Sequence, residues 1–146
     1  MSTNESDKQF VDVRYAKSKE YRQVLDRILA EGKCPFCPDN FTHHTQPILN
    51  RVGTWLITRA AFPYENVLEH FLLIGEAHKE HISELTHDDM EAVRQLVVWA
   101  TREFGLKGGG VAFRFGDTQY TGATVCHLHV HFIVPATPKH VNFPIG

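Results

Sequence analysis

The chain has 146 residues, of which 42% are hydrophobic and 22% are charged, the composition of one ordinary globular domain. The longest uninterrupted apolar run, Leu96 to Ala100, has five residues, so neither a membrane-spanning helix nor a membrane partner is expected. The net charge of −2 lacks the basic excess of a nucleic-acid-binding surface, whereas a few placed cations would suffice to bind a single nucleotide.

The start of the chain and its cysteines indicate the compartment. Residues 1–10 are polar and lack the apolar core of a signal peptide. The three cysteines are an odd number, which disfavours a disulfide framework and favours metal binding or free thiols. We therefore expect a cytoplasmic protein with a single domain over residues 1–146, in which residues 1–15 form a flexible arm.

The first third of the chain predicts a helix, a turn-rich knuckle and a hairpin. Between residues 18 and 31 the apolar residues recur at spacings of three and four, and Gly32 is a suitable end for this amphipathic helix. The sequence CPFCPDN follows over residues 34–40, with two prolines. Residues 47–60 hold two apolar-rich runs around Gly53, which is typical of a β-hairpin.

The middle of the chain predicts a loop, a short strand and a long helix. Residues 62–66 form the loop, and the apolar segment His70–Ile74 is the strand. Thr86 is an N-cap candidate with Asp89 three residues later, a looser form of the capping box. The apolar stripe of the helix behind it consists of Met90, Val93, Val97, Ala100 and Phe104.

The last third predicts two strands separated by a loop. Residues 111–115 alternate between two faces, residues 117–122 form the loop, and residues 126–135 form a strand that ends at a proline. Helices and strands do not alternate along the chain as they do in doubly wound folds. We therefore expect an α+β fold: a largely antiparallel sheet, an N-terminal helix, and one long helix packed on the sheet.

Three histidines share one face of the last strand. Successive side chains of a strand point to opposite faces, so the imidazoles lie on one face and apolar residues occupy the other, which packs into the core. The histidines are His127, His129 and His131, and the apolar residues are Leu128, Val130 and Phe132. Neighbours on one face are about 7 Å apart, so one metal ion binds two of these histidines at most. At least one is left for chemistry.

The segment HLHVHFI resembles the HxHxH signature of the histidine triad (HIT) proteins. Two further segments agree with this resemblance: the glycine and hydroxyl residue of Gly122-Ala-Thr124, and the block from His70 to His78, with a histidine at each end of an apolar strand. The resemblance covers roughly residues 34–135. It implies an antiparallel meander of strands, a homodimer, and hydrolysis or transfer of nucleotides.

The resemblance also implies roles for individual residues. The middle histidine, His129, is the nucleophile that forms a nucleotidyl-histidine, an intermediate for which imidazole is well suited. A backbone carbonyl would hold the proton on its Nδ1 so that Nε2 attacks. His131 and Thr124 would assist at the phosphate. Arg114, Gly122 and His70 are the candidate substrate-binding residues, and Arg114 is preferred to Arg59 because it sits on a central-looking strand with alternating apolar neighbours.

The CxxC motif of Cys34 and Cys37 is compatible with zinc or redox chemistry. It follows a predicted helix rather than a strand, which disfavours a thioredoxin-like use. CPFCPDN resembles the knuckle of a zinc-bearing HIT branch and of galactose-1-phosphate uridylyltransferases, and this resemblance implies that His78 and His127 complete a zinc site. Other candidate ligands remain, chiefly His81 but also the neighbours His43 and His44. For Cys126, a buried free thiol is favoured.

Two departures from these relatives affect the predicted function. The uridylyltransferases carry Gln where this chain has His131, as HIT hydrolases do, which favours water as the final acceptor. HIT proteins often have an acidic residue in the ribose-binding strand before the His70 block. In this chain residues 58–66, TRAAFPYEN, occupy that region, and Glu65 or Asn66 is the candidate for the ribose contact. Phe36 and Trp55 are candidates for base stacking, although core packing is favoured for both.

The function expected is that of a zinc-bearing nucleotide hydrolase or nucleotidyl transferase. It would attack the α-phosphate of a dinucleoside polyphosphate, a nucleotide conjugate or a phosphoramidate. Three alternatives remain: a uridylyltransferase-like enzyme with a phosphate acceptor, a nucleotide-binding regulatory module with little catalysis, and a nucleic-acid end-processing enzyme. The last is disfavoured by the lack of a basic stripe or tail.

Overall fold

The computed structural model of the chain describes residues 9–146. Residues 1–8, which make up about half of the expected flexible arm, lie outside the described residues. None of the helices within residues 9–146 combines the length and the apolar character needed to cross a membrane.

The first helix, α1, spans Lys19–Glu31 and confirms the sequence-based prediction to within one residue. The Ser18 hydroxyl accepts a hydrogen bond from the backbone of Tyr21, which satisfies a free N–H group of the first turn. The helix ends at Gly32, which adopts the left-handed conformation favoured at helix ends.

Five strands among the described residues form one antiparallel sheet in the order β1-β2-β3-β5-β4. The first three strands are a meander, and β5 inserts between β3 and β4, so β4 is an edge strand. The fold is thus α+β with an open antiparallel sheet, as predicted. The strands are β1 Ile48–Val52, β2 Trp55–Arg59, β3 Val67–Gly75, β4 Gly110–Phe113 and β5 His129–Pro135.

The long helix, α2, spans His87–Glu103 and covers one face of the sheet. Its inner stripe differs from the prediction at the first turn, where Met90 is 48% exposed and Asp89 is buried. Asp89 faces inward because its carboxylate caps the helix and accepts hydrogen bonds from Trp55 and Lys79. The core residues of α2 are Ala92, Val93, Leu96 and Ala100, and they pack against alternate residues of β2, β3 and β5.

Two predicted boundaries near β5 are wrong. The strand begins at His129, not at residue 126, because the backbone N–H groups of Cys126 and Leu128 donate to Phe10 and Lys79 rather than to a neighbouring strand. The loop expected over residues 117–122 contains a short helix, α3, at Thr118–Thr121.

Part of the expected flexible arm packs against the rest of the domain. Val11 is 1% exposed and forms an isolated β-bridge with Val125. The N–H of Asp12 donates a 2.8 Å hydrogen bond to the carbonyl of Thr124. Val11 also lies in a small apolar cluster with Leu25 and Ile28 of α1. The segment therefore joins α1 to the loop that precedes β5.

Candidate active site and metal centre

Strand β5 separates its histidines from its apolar residues. Val130 and Phe132 lie in the core beneath α2, which confirms the predicted partition of the strand. His129 and His131 lie on the other face, with ring centroids 4.9 Å apart. Both line a cavity of about 730 Å³ that is also bounded by α1. The strand therefore presents two imidazoles to a space large enough for a nucleotide-sized molecule.

The ring of His129 is held in one tautomer. Its Nδ1 lies 2.8 Å from the backbone carbonyl oxygen of His127, which can only accept a hydrogen bond. Nδ1 therefore carries the proton, and Nε2 keeps its lone pair. The edge of the ring meets Phe36 at a centroid distance of 5.1 Å. This is the arrangement that a nucleophilic imidazole requires.

The tautomer of His131 is fixed through a second histidine. The backbone N–H of Tyr64 donates to Nδ1 of His70, so the proton of neutral His70 is on Nε2. That Nε2 lies 2.9 Å from Nδ1 of His131 and donates to it. Nε2 of His131 must then carry the proton of that ring. The chain from Tyr64 to His131 thus places a hydrogen-bond donor beside His129.

Burial keeps these imidazoles neutral. Loss of solvent is the main cause that lowers the pKa of His70 to about 4 and the pKa of His129 to about 4. Burial also lowers the pKa of His131 well below its usual range, with smaller contributions from neighbouring imidazoles and from Arg114 and Lys17. The site therefore holds neutral rings with defined donors and acceptors near neutral pH.

The other predicted site residues also line this cavity. The Thr124 hydroxyl lies 2.5 Å from that of Tyr21. Gly122 ends α3 with a φ of +71°, and a Cβ there would lie 2.6 Å from the carbonyl oxygen of Gly146. Arg114 follows β4 and donates to the Tyr64 hydroxyl at 3.1 Å. The structure thus brings together the residues predicted for catalysis and for substrate binding.

Four ligand atoms lie together at the start of β5. Cys34, Cys37, His78 and His127 each offer one atom, and these atoms lie within 4.8 Å of one another. The distance from Cys34 Sγ to His127 Nδ1 is 3.4 Å, from Cys37 Sγ to His78 Nδ1 3.4 Å, and from Cys37 Sγ to His127 Nδ1 3.7 Å. A tetrahedral zinc ion with bonds of about 2.0–2.3 Å separates its ligands by about 3.3–3.8 Å. The cluster therefore fits zinc.

Both histidines of the cluster are oriented by a second partner, as ligands of a metal usually are. The Nε2 atom of His78 lies 2.9 Å from the Glu80 carboxylate, and that of His127 lies 2.7 Å from the carbonyl oxygen of Gly75. Gly75 itself packs against the Trp55 ring, where an added Cβ would lie 3.0 Å from the nearest ring atom. These second partners fix the orientation of both ligand rings.

The competing ligands considered from the sequence lie elsewhere. His81 caps a 3-10 turn at Ile82–Glu84 through its Nδ1. His43 pairs with Glu31, and His44 bonds to Thr58. Cys126 is half-buried and is not a member of the cluster. The cluster therefore favours His78 over His81.

Several further candidates have other roles. Arg59 forms an ion pair with Glu69, so it is not a member of the site. Trp55 is buried in the core, where its indole donates to Asp89. Phe36, Glu65 and Asn66 line the cavity. Core packing, favoured from the sequence, is thus correct for Trp55, whereas Phe36 lies beside His129.

Among the residues of the site that sequence reasoning missed are Lys17, Tyr21 and Tyr64, which line the cavity, and Phe143, whose ring packs against His131. Phe143 lies in the segment after β5, and its ring centroid is 5.1 Å from that of His131. Tyr64 lies in the loop before β3, 4.6 Å from His70 between centroids. Lys17, Tyr64 and Phe143 belong to no periodic pattern or recognisable motif, whereas Tyr21 lies in the apolar stripe of α1. The HxHxH signature was the one sequence feature that indicated where the site would lie, but it did not identify these residues.

Solved structures of histidine triad proteins share this fold. A histidine triad nucleotide-binding protein from Candida albicans matches with a TM-score of 0.59 at 19% identity, over 78% of this chain and 85% of that chain. A HIT family hydrolase from Legionella pneumophila matches with a TM-score of 0.54 at 22% identity, over 78% and 100%. A Zn-bound histidine triad family protein from Mycobacterium smegmatis matches with a TM-score of 0.56 at 22% identity, over 78% and 83%.

These similarities define the class of the molecule: the chain has the histidine triad fold, and the HxHxH motif from which that fold was expected runs from the segment before β5 into that strand. No protein-family model and no curated protein matches the sequence. The identities are low, so the similarities support the fold, and the chemistry must be argued from the site.

Proposed function

We propose that this protein is a nucleotide hydrolase or nucleotidyl transferase that attacks the α-phosphorus of a nucleoside phosphate derivative through His129. The observation that carries the proposal is the hydrogen bond from Nδ1 of His129 to the backbone of His127, which leaves Nε2 as a nucleophile. The cavity beside it and the fixed donor on His131 support the same reaction.

The reaction proceeds in two displacements. In the first, the Nε2 lone pair of His129 forms a bond to the α-phosphorus, and the bond from phosphorus to the leaving group breaks. The leaving atom departs with the electron pair of that bond; a leaving phosphate oxygen keeps the negative charge, whereas a leaving nitrogen takes up a proton from solvent and departs as an amine. His131 donates a hydrogen bond to a phosphate oxygen, and so does the hydroxyl of Thr124, which lines the same cavity. Such donors stabilise the charge that develops on phosphorus-bound oxygens.

In the second displacement, water attacks phosphorus on the side opposite His129. The phosphorus–nitrogen bond breaks, its electron pair returns to Nε2, and the proton of the water passes to solvent. The products are a nucleoside monophosphate and the regenerated imidazole. Histidine at position 131, rather than the glutamine of uridylyltransferases, favours water over a phosphate acceptor in this step.

Zinc would serve as a structural ion in this scheme. Held by Cys34, Cys37, His78 and His127, it would fix the cysteine knuckle against the segment that begins β5. The His127 carbonyl that orients the nucleophile belongs to that segment. This chain's own residues carry out every chemical step.

The proposal is tested with a panel of radiolabelled substrates. Dinucleoside polyphosphates, nucleotide sugars and nucleoside phosphoramidates, each labelled at the α-phosphorus, are mixed with the protein and quenched in alkali, in which a phosphohistidine survives. Label on the protein that disappears in His129→Asn, together with released nucleoside monophosphate, is the expected result.

The alternatives give different results in the same panel. Transfer of the labelled nucleotidyl group to added inorganic phosphate, with little hydrolysis, would indicate a transferase. Tight binding of a nucleotide without label on the protein and without turnover would indicate a regulatory module, and the enzymatic proposal would then be wrong.

Two further expectations belong to the proposal. The protein acts as a homodimer, for which the edge position of β4 and the 49% exposure of Val111 give support. It acts in the cytoplasm, where cysteines that form no disulfide stay reduced.

A further inference from the structure

Two basic side chains flank the ring of Tyr64 in the wall of the cavity. The Lys17 Nζ lies 4.1 Å from the ring centroid, and Arg114 Nη2 donates to the phenol oxygen at 3.1 Å. Both side chains line the cavity together with His70 and His131. The tyrosine thus holds two positive charges next to the imidazoles of the proposed active site.

These two charges lack an acidic partner. Within residues 9–146, neither Lys17 nor Arg114 has a carboxylate within 4.0 Å. Glu20 and Glu65 line the same cavity, but neither forms an ion pair with them. Burial, and next the charge of Arg114, lower the pKa of Lys17, while Glu65 acts in the opposite direction. Two unpaired cations that repel each other create a place where an anion is stabilised.

The guanidinium of Arg114 directs the two donors of one edge at a single backbone oxygen. Its Nε donates at 2.8 Å to the carbonyl of Pro144, and Nη2 donates to the same oxygen. The same edge can bind two oxygens of a carboxylate or a phosphate through two parallel hydrogen bonds. Pro144 is exposed, so its carbonyl can be displaced. The Phe143 ring beneath the guanidinium, 4.0 Å from the carbon to the ring centroid, keeps it in place.

We propose that Lys17 and Arg114 form a subsite for a second anionic group, the phosphate of the leaving group, so that the preferred substrates are nucleoside di- and polyphosphate derivatives. This inference rests on the proposed function. In the first displacement the leaving oxygen takes the electron pair of its bond to phosphorus, and the two cations stabilise the charge that grows there. A leaving group without charge gains nothing from them.

Two substrates with the same nucleotide separate this effect from catalysis in general. Diadenosine triphosphate releases ADP, whereas an adenosine phosphoramidate of an uncharged alkylamine releases an amine. Lys17→Met should lower kcat/KM for diadenosine triphosphate about tenfold, because one charge-assisted contact is lost. It should lower kcat/KM for the phosphoramidate by about twofold at most. Lys17→Arg keeps the charge and should restore the ratio of kcat/KM between the two substrates to that of the parent protein.

A matched control is Lys19→Met, which removes an exposed lysine that does not line the cavity. Lys19→Met should leave kcat/KM unchanged for both diadenosine triphosphate and the phosphoramidate. If Lys17→Met lowers the two rate constants by the same factor, or lowers neither, the anionic subsite is wrong.

Binding of inorganic triphosphate, measured by calorimetry, tests the subsite without turnover. The parent protein should bind it in a salt-dependent manner, and Lys17→Met should bind it about tenfold more weakly. If neither nucleotide is turned over but this difference is found, the proposed function fails and the subsite stands. Equal binding by the parent protein and the variant overturns the subsite.

Discussion

The carbonyl oxygen of His127 accepts a 2.8 Å hydrogen bond from the ring of His129, while the imidazole of the same His127 lies in the cysteine cluster. One residue therefore connects the metal centre to the proposed nucleophile. Its side chain contributes to the candidate zinc site, and its backbone selects the tautomer of the ring that we propose to react.

Replacement of His129 by Asn should lower turnover about a thousandfold or more, because no other neutral ring in the cavity has its Nε2 free. The apolar face of β5 is unchanged, so the circular dichroism spectrum and the melting temperature should stay close to those of the parent protein. The matched control is His87→Asn, at the exposed start of α2. Residual turnover with label trapped on another histidine would show that the role of nucleophile is assigned wrongly.

Replacement of Cys34 by Ser should lower zinc content and thermal stability together, because binding of a structural metal contributes to the free energy of folding. Elemental analysis of the parent protein should find about one zinc per chain. Cys126→Ser is the control, since Cys126 is not part of the cluster, and it should keep its zinc. A Cys34→Ser protein that loses its zinc at unchanged melting temperature would contradict a structural role for the ion.

Replacement of His70 by Leu should lower kcat roughly tenfold, because Nδ1 of His131 then loses the donor that fixes its tautomer. His70→Gln should recover most of the rate, since its side-chain amide reaches the same position and donates the same hydrogen bond. The two variants are compared by kcat at saturating substrate and by nitrogen NMR of the histidine rings. Equal kcat values for His70→Leu and His70→Gln would mean that His70 contributes only packing.

The Asp89 carboxylate should make the fold sensitive to acid. Burial alone raises its pKa, but hydrogen bonds from Lys79, Trp55 and Thr86 outweigh this and hold it well below the ordinary 3.8. The folded protein thus binds this proton more weakly than the unfolded chain does, so the stabilisation is complete above the ordinary pKa and is lost as pH falls below it.

Chemical unfolding of Asp89→Asn and of the parent protein measures this effect. At pH 7 the variant should be less stable by about 1–3 kcal/mol, and the difference should shrink as the pH falls below about 4. Asp88→Asn, at an exposed neighbouring position, should cost less than about 1 kcal/mol. A difference that is independent of pH would rule out the carboxylate charge as its cause.

Replacement of Val111 by Lys should shift the protein toward monomers. Val111 is 49% exposed on β4, which has a sheet partner on one side only among the described residues. An edge of this kind pairs readily with another chain, and lysine on an edge strand opposes such pairing. Sedimentation at micromolar concentration should show a dimer for the parent protein and a 16.7 kDa species for the variant. A parent protein that is already monomeric would refute the homodimer.

Much of this fold could be predicted because its elements obey simple periods. The spacing in α1, the capping residue of α2 and the alternation in β5 each follow from local geometry. Met90 was misplaced because the carboxylate of Asp89 gains more from Trp55 and Lys79 than the thioether gains from burial. The sequence pattern does not reveal such a pairing, because the three residues are distant along the chain.

Only part of the candidate site could be predicted from the sequence, because some of its contacts also join residues that are distant along the chain. His129, His131 and the cysteine knuckle stand in short motifs, and their neighbours in space could be named. Tyr64 and Phe143 lie in segments without periodicity, 6.1 Å apart between ring centroids. Their contacts depend on how the segment after β5 folds back across the sheet, which the order of residues along the chain does not determine.

Gly75 restricts which substitutions this protein can tolerate. Its Cα lies against the Trp55 ring of the core, and its carbonyl orients a ligand of the metal centre. A substitution there would push the indole and shift His127 at once, so two separate functions of the molecule would change in a single mutational step. Libraries that vary the core and the metal centre independently should therefore accept few replacements at position 75, and those few should come with a smaller residue at position 55.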